Sequence, residues 1–325
     1  LIIPVKNESA KLPGLIYDLS QQSLDDSLYE ILFVDDGSTD GSGDIIAGAA
    51  DTKANMHLIR TEGEGKKRAI ARGLQLAKGD YILTTDGDCR LRPGWLEASF
   101  RSICLTGADM IIGPVNIIDE GSFFNRMVQL EFLGLQAVTE AMTQLGRPVM
   151  CNGANLCFIN PGPEKYLSLV REDIDTGDDV FLMESFRKEG KRIIWSGSGD
   201  RIVETYGPAS PGEFAKQRVR WASKSTAYNE PLLIVLGLTV FLTCLVISAA
   251  AIASIFIAGL WMVLIPMFVL KSLPDYLLLN SITLDRSKQR LMWVFVPAQL
   301  LYPFYAFSFA LAGMIKGLFF SQQGR

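Results

Sequence analysis

The sequence predicts an α/β protein with a mostly parallel sheet covered by helices on both faces, followed by a C-terminal transmembrane helical region. Two observations predict it. Short apolar runs alternate with helical spacing of apolar residues through the first 115 residues, the pattern of strands joined by helical crossovers. Residues 232–270 then form 39 positions without a charge, enough for two membrane-spanning helices and a tight turn.

The first 115 residues contain five apolar runs of strand length. They predict strands at residues 1–5, 30–34, 56–59, 81–83 and 110–112. The segments between them predict helices at residues 8–19, 43–50, 66–77 and 94–104. Ligands of parallel sheets bind beyond the carboxyl ends of the strands, so the polar residues that follow each strand are candidates for a site.

Residues 116–210 are less regular. They predict helices near residues 123–145 and 178–188, with short strands at 192–195 and 201–204. A further helix over 214–228 mixes aromatic side chains with Lys216, Arg218, Arg220 and Lys224. This composition suits a helix lying along lipid headgroups, although an ordinary surface helix fits equally well. We therefore predict an α/β domain at 1–210, an interface helix at 211–230 and a membrane region at 231–325.

A third apolar stretch covers residues 291–315. The loop before it, residues 285–290, carries three basic residues, which favours a cytoplasmic loop under the positive-inside rule. Counting back over two spans also places residues 1–230 in the cytoplasm. We expect an integral membrane protein with its α/β domain in the cytoplasm, as in a bacterial inner membrane. The chain starts inside an apolar run without a Met, so we also expect a preceding segment.

Composition limits the possible chemistry. Residues 231–325 carry six Lys or Arg and two Asp or Glu, so residues 1–230 hold a net charge of −8, which argues against nucleic acid as a partner. Five scattered cysteines without a Cys-x-x-Cys pair do not form a disulfide scaffold. The single histidine, His57, cannot build a zinc site without cysteine help. General acid–base work therefore falls to carboxylates.

Asp86-Gly87-Asp88 follows the fourth predicted strand and is the candidate metal site. A cation that bridges two phosphates needs only one or two protein carboxylates, and oxygen ligands suit Mg²⁺ or Mn²⁺. Such a metal would neutralise a leaving nucleotide diphosphate as a Lewis acid. A polar turn that merely ends a strand remains the simpler explanation of this tripeptide alone.

Asp35 and Asp36 follow the second predicted strand and could accept hydrogen bonds from a nucleoside. Lys66 opens a helix whose amides and cations could hold phosphate. A helix cap and a solvated helix start are the structural alternatives. Asp178 and Asp179 begin another helix, where a carboxylate could deprotonate a sugar hydroxyl, or could simply favour the helix dipole.

The segment from Gln217 to Trp221 supplies the last candidates. Arg220 could stabilise leaving phosphate, and Trp221 could present a flat face to an acceptor sugar; membrane anchoring is the alternative. In this order, the motifs resemble the D, DxD, (E/D)D and Q-x-x-R-W series of family 2 glycosyltransferases. The resemblance covers residues 1–230 and extends to membrane-bound members such as cellulose and hyaluronan synthases and ceramide glucosyltransferase.

The resemblance implies a GT-A fold and specific roles. Donor contacts would come from Pro4, Asn7, Glu8, Asp35, Asp36, Lys66, Asp86 and Arg220. Asp86 and Asp88 would hold Mg²⁺ or Mn²⁺, Asp88 more directly. Asp179 would be the general base, with Asp178 standing where the family often has Glu. Acceptor contacts would come from Gly153, Asn155, Gln217 and Trp221.

We therefore expect an inverting, metal-dependent transfer of one sugar from a UDP-sugar to a membrane-associated lipid or glycan. The alternatives are a processive polysaccharide synthase and a non-catalytic membrane subunit. Three C-terminal spans are fewer than channel-forming polymer synthases carry, which favours single transfer. A transport subunit would use ionisable residues in the membrane, for which Lys271 and Asp275, beside the second apolar stretch, are the candidates.

Overall fold

The computed structural model describes residues 1–171, 177–197, 199–223 and 231–323. The chain divides into two compact units. The first consists of Leu1–Ile117 and Thr139–Tyr206, and the second of Ile118–Val138 and Gly207–Arg325. The sequence pattern did not indicate that residues 118–138 would group with the C-terminal part.

The first unit is built on a seven-stranded sheet. Its strands, with those of a small second sheet, are β1 (Ile2–Val5), β2 (Ile31–Asp36), β3 (Met56–Thr61), β4 (Tyr81–Thr84), β5 (Met110–Ile112), β6 (Val115–Ile117), β7 (Leu156–Ile159), β8 (Ile193–Trp195) and β9 (Val203–Thr205). The order in the large sheet is β3-β2-β1-β4-β7-β5-β8, and β6 pairs with β9. Only β7 runs antiparallel to its neighbours in this sheet, so the predicted mostly parallel sheet is confirmed.

Helices connect these strands and continue into the second unit. They are α1 (Leu12–Ser20), α2 (Ser42–Ala50), α3 (Lys66–Leu76), α4 (Trp95–Thr106), α5 (Phe123–Gln144), α6 (Pro163–Leu169), α7 (Asp178–Lys188), α8 (Pro211–Ser223), α9 (Pro231–Ala253), α10 (Trp261–Asp285) and α11 (Phe295–Gln323). Every residue of β2 is buried, as expected of a central strand covered on both faces. The first predicted helix begins at Leu12 rather than residue 8, with Pro13 in its first turn.

The antiparallel strand β7 was not predicted, and it shapes the edge of the sheet. It lies between β4 and β5, with Leu156 paired to Thr84 at the carboxyl end of β4. The 3₁₀ turn Gly153–Asn155 leads directly into it. An antiparallel strand enters the sheet where its parallel neighbours end, so this turn lies at the edge that carries the ends of β2 and β4.

Among its described residues, the second unit has three helical segments long and apolar enough to cross a membrane: Pro231–Ala253, Trp261–Asp285 and Gln289–Lys316. Large apolar side chains such as Leu270 and Trp293 are at least three-quarters exposed on them. The second predicted span ended near residue 270, but α10 continues to Asp285. Lys271 and Asp275 therefore lie inside this helix, where they form an ion pair of 2.8 Å. This i,i+4 pairing partly offsets the two charges within the helix.

Candidate active site

Asp36 ends β2 and holds the loop that opens α3. Its Oδ1 accepts hydrogen bonds from the Thr61 hydroxyl (2.9 Å) and the Glu64 amide (2.8 Å). Its Oδ2 accepts one from the Gly65 amide (3.0 Å), and the Lys6 ammonium lies 3.5 Å away. The carboxylate is almost fully buried. Asp36 thus fixes the start of the helix that carries Lys66.

The loop after β1 is tied to the loop after β2. The Asn7 amide donates to the Ser38 hydroxyl (3.0 Å), and the Asn7 side-chain oxygen accepts from the Thr39 amide (2.8 Å). Asn7 has a φ of 56°, a left-handed conformation that asparagine tolerates better than most residues. Asp35, also buried, accepts from the Ser38 amide (3.0 Å). The residues predicted to contact the nucleoside therefore lie at the end of β2 and on the two connected loops that follow β1 and β2.

Pro4 and Glu8 lie on the same edge. Pro4 is in β1, in register with Val34 of β2. The Glu8 amide donates to the Ser42 hydroxyl (2.9 Å), which leaves its carboxylate beside the acidic turn after β4. Burial and the charge of Asp88 raise the pKa of Glu8. The carboxylates of this edge are therefore under mutual repulsion.

Asp86 and Asp88 each have a lysine nearby. The Lys66 ammonium donates to Asp86 Oδ1 at 2.6 Å, and the Lys11 ammonium lies 3.7 Å from Asp88 Oδ2. Burial and the charge of Asp86 raise the pKa of Asp88. A cation relieves this repulsion, and the Lys11 ammonium, which the sequence pattern did not indicate, is one such cation. Lys11 follows Glu8 by three residues, in the turn that precedes α1, and this spacing is the signal that could have indicated it.

The carboxylates of Asp86 and Asp88 fit a divalent metal ion whose remaining ligands include phosphate oxygens. Both side chains keep part of their surface exposed, 35% and 23% respectively, and offer only oxygen ligands. Among the residues that the structure describes, no three His, Cys, Asp or Glu side chains form a complete metal cage. Mg²⁺ is commonly bound through one or two carboxylates together with substrate phosphates, and this donor set allows such binding.

Asp179, in the first turn of α7, lies beside the turn that precedes β7. Its Oδ2 accepts a hydrogen bond from the Gly153 amide at 3.1 Å. The Gly153 carbonyl in turn accepts from the Thr84 hydroxyl at the end of β4 (2.6 Å). A Cβ on Gly153 would lie 3.6 Å from the Lys66 ammonium and 3.9 Å from Asp179 Oδ2. Gly153 thus keeps the space between the lysine and the aspartate open.

A small cavity adjoins these groups. Its polar lining consists of Lys66, Thr84, Tyr166, Asp178 and Asp179. Desolvation lowers the pKa of Lys66, but the charges of Asp86 and the two aspartates of α7 offset this and raise it overall. Desolvation also raises the pKa of Cys151 and Tyr166 well above their usual values. Neither of those two groups supplies a nucleophile, so the α7 carboxylates are the groups that can accept a proton here.

Asn155 contributes to this edge from within the core. Its side-chain amide donates to the carbonyls of Pro114 (2.7 Å) and Arg201 (2.5 Å), and its oxygen accepts from the Trp95 indole (3.2 Å). The residue is completely buried. Both amide hydrogens are used inside the protein, so this side chain holds the turn before β7 in place.

The second unit carries three further predicted site residues on α8: Gln217, Arg220 and Trp221. Arg220 is exposed, and the other two are partly buried. Arg218 belongs to the helix whose composition suits either lipid headgroups or an ordinary protein surface, but its own side chain does not face outward. Its guanidinium is buried and paired with Glu131 at 3.0 Å, because the fourth residue after Phe214 returns to the packed face of the helix. Lys224 and Tyr228 lie outside the described residues.

A family model matches the part of the chain that holds the two acidic strand ends. Residues 1–160 match Glycosyl transferase family 2. The match covers slightly less than half of the chain and includes both acidic strand ends, Asp35–Asp36 and Asp86–Asp88.

Two relatives support the same domain. Glycosyltransferase AglE of Haloferax volcanii is 34% identical over 116 residues, which cover 35% of this chain and 38% of the relative. An undecaprenyl-phosphate 4-deoxy-4-formamido-L-arabinose transferase of Aeromonas hydrophila is 36% identical over 131 residues, 39% of each chain. The chain thus spans less than two-fifths of the length of each of these two relatives.

A solved structure supports the fold over a longer stretch. The mannosyltransferase PcManGT of Pyrobaculum calidifontis, solved with GDP-Man and Mn²⁺, has a TM-score of 0.54 at 16% identity. The alignment covers 98% of this chain and 86% of that protein. At this identity the likeness shows the fold alone, and the predicted GT-A class is confirmed.

Proposed function

We propose that this protein is a glycosyltransferase that moves one sugar from a nucleotide-sugar, a UDP-sugar, to a lipid acceptor at a membrane. The observation that carries the proposal is the connected set Asp86–Lys66–Gly153–Asp179. These residues come from four separate segments and form one edge of a single unit. Metal-binding carboxylates and a base beside one another are what direct sugar transfer requires.

In this proposal Asp86 and Asp88 hold Mg²⁺ or Mn²⁺, which neutralises charge on the leaving diphosphate. Pro4, Asn7, Glu8, Asp35 and Asp36 line the nucleoside side, and Lys66 contacts the donor phosphate. Asp179 accepts the proton of the attacking hydroxyl or phosphate. The acceptor oxygen bonds to the anomeric carbon from the face opposite the nucleotide diphosphate, which departs, so the sugar is transferred with inverted configuration. A protein of the same fold has been solved with a sugar nucleotide and Mn²⁺, in agreement with this chemistry.

A lipid acceptor is supported by two observations. Three helical segments are able to cross a membrane, and one relative is named an undecaprenyl-phosphate transferase. We propose an integral membrane protein whose catalytic unit faces the cytoplasm, where nucleotide-sugars are made. Arg220 then contributes to the diphosphate side, and Gly153, Gln217 and Trp221 contribute to the acceptor side.

The test uses the full chain in lipid nanodiscs. Nucleotide release is measured with UDP-Glc, UDP-Gal, UDP-GlcNAc and GDP-Man, with and without Mn²⁺, in the presence and absence of a polyprenyl phosphate. The proposal expects metal-dependent release that rises when the lipid is added, together with a glycolipid carrying one sugar. Formation of a long polymer would contradict single transfer and support the processive synthase. Absence of release and of product with every donor would contradict the proposal.

A further inference from the structure

Helix α8 of the second unit has two faces with different surroundings. Arg220 is exposed and Gln217 and Trp221 are partly so, whereas Phe214 and Arg218 are buried. The helix packs closely against α11. A Cβ on Gly313 would lie 2.9 Å from the carbonyl carbon of Ala222, so the two backbones meet with no room for a side chain.

Arg218 makes unusually specific contacts on the buried face. Its guanidinium lies between two aromatic rings, 4.6 Å from the centre of Phe214 and 4.3 Å from that of Trp221. Its Nε donates to Glu131 Oε1 at 3.0 Å, and its Nη1 donates to Gln217 Oε1, also at 3.0 Å. The planar fork of arginine is what permits stacking and directed hydrogen bonds at the same time.

The position of Glu131 is set by the packing of its own helix. It lies on α5, whose neighbouring residues Leu130 and Leu133 belong to an apolar cluster with α10 and with residues that precede α11. The ion pair therefore connects α8 to helices that pack together independently of it. A buried ion pair adds little net stability compared with apolar side chains of similar volume. A role in geometry explains the pair better than a role in stability.

We propose that Arg218, held by Glu131, is a positioning residue that orients Gln217 and Trp221 for the acceptor side of the transfer. The inference rests on the proposed function, in which those two residues contact the acceptor. Gln217 and Trp221 are one turn apart on α8, and Arg218 contacts both. Changing Arg218 therefore releases both acceptor contacts while leaving their side chains present.

The decisive variant is the double change Glu131→Leu/Arg218→Met in the full chain in nanodiscs. Replacing only one partner leaves an unpaired buried charge, which destabilises the fold, whereas the double change removes both charges at similar volume. We expect the donor Kd to stay within about twofold of the wild-type value and the acceptor KM to rise. We expect kcat to fall about 10- to 100-fold, because misplacing a reactant by about an ångström has a cost of this size. Arg218→Lys keeps the charge but loses the fork, and we expect an intermediate loss.

The matched control removes another arginine–glutamate pair. Glu97→Gln/Arg101→Gln breaks an exposed ion pair of 2.9 Å on α4 and should leave kcat and both KM values unchanged. Wild-type kinetics in the folded double variant would overturn the inference. If the double variant does not fold, wild-type kinetics in Arg218→Lys would overturn it instead. A lowered Tm with unchanged kinetics would also overturn it. Absence of transfer by the wild-type protein is a separate outcome, which contradicts the proposed function itself.

Discussion

The Lys66 ammonium lies 2.6 Å from Asp86 Oδ1, although twenty residues separate the two in the chain. Lys66 opens α3 and Asp86 follows β4, so the contact brings the start of a helix to the end of a strand. The same ammonium lies near the aspartates of α7, whose charges help to raise its pKa. Lys66 therefore connects the proposed metal side of the site to the proposed base.

Asp179→Asn tests the base. Asparagine can still accept the hydrogen bond from the Gly153 amide, so the turn stays in place while the proton acceptor is lost. We expect transfer to fall about 100- to 10,000-fold, the usual contribution of general base catalysis, with the donor Kd almost unchanged. Asp178→Asn is the control and should cost far less. A larger loss in the control would assign the base to Asp178.

Removing the metal tests Asp88. We expect EDTA to abolish transfer and Mn²⁺ to restore it in the wild-type protein. In Asp88→Asn the Mn²⁺ concentration for half-maximal activity should rise by at least about tenfold, an effect that even outer-shell changes reach. Asp44→Asn, which alters an exposed carboxylate on α2, should leave the Mn²⁺ titration unchanged. Full activity in EDTA would contradict the metal assignment.

Gly43→Ala tests the support of Asp35. A Cβ at this position would lie 2.5 Å from Asp35 Oδ2, so the carboxylate must move. We expect a higher donor Kd and a lower Tm. Gly48→Ala on the same helix meets nothing within 4 Å and should raise the free energy of unfolding by about 0.5–1 kcal/mol without changing the donor Kd. Equal effects of the two changes would show that Asp35 tolerates displacement.

Glu8→Gln tests the repulsion between carboxylates in the metal-free protein. Burial and the charge of Asp88 raise the pKa of Glu8, so the folded state favours the protonated form. The charged form therefore costs stability once the pH exceeds the ordinary carboxyl pKa, and the cost is complete above the raised pKa. We expect Glu8→Gln to raise the Tm near pH 7, with the gain vanishing near about pH 4. A constant gain at both pH values would point to packing instead.

Asn155→Ala tests the buried turn. The change leaves the Trp95 indole and the carbonyls of Pro114 and Arg201 without their partner. Unpaired buried groups cost about 1–3 kcal/mol in the free energy of unfolding, which thermal or urea denaturation measures. Asn55→Ala removes two long hydrogen bonds near the surface and should cost much less. An unchanged free energy of unfolding in Asn155→Ala would mean that water replaces the amide.

Local patterns predicted most of the fold. All five strands expected in the first 115 residues are present, and so is the helix that begins at Asp178. The spacing of apolar residues identifies these strands because it depends only on residues that are close together in the chain. It could not show β7, since an antiparallel strand inserted between β4 and β5 depends on partners more than 40 residues away. The placement of Gly153 at the edge of the sheet follows from that strand.

The candidate site shows the same division. The chemistry of Asp86, Asp88 and Asp179 could be proposed from residue type and position at strand and helix ends. The functions of Asn155 and Arg218 could not, because a polar residue at a given position looks the same whether its partners are protein groups or ligands. Their buried hydrogen bonds separate the two cases.

By itself the sequence determined the alternation of strands and helices, the carboxylates available for chemistry and the three apolar spans, because these depend on local composition and spacing. Only the tertiary structure decided which of these groups meet. Lys66 reaches Asp86, Asp179 reaches Gly153, and Arg218 turns inward to Glu131, each through packing of segments distant in the chain. Such contacts are set by sheet order and helix packing, which no single segment encodes.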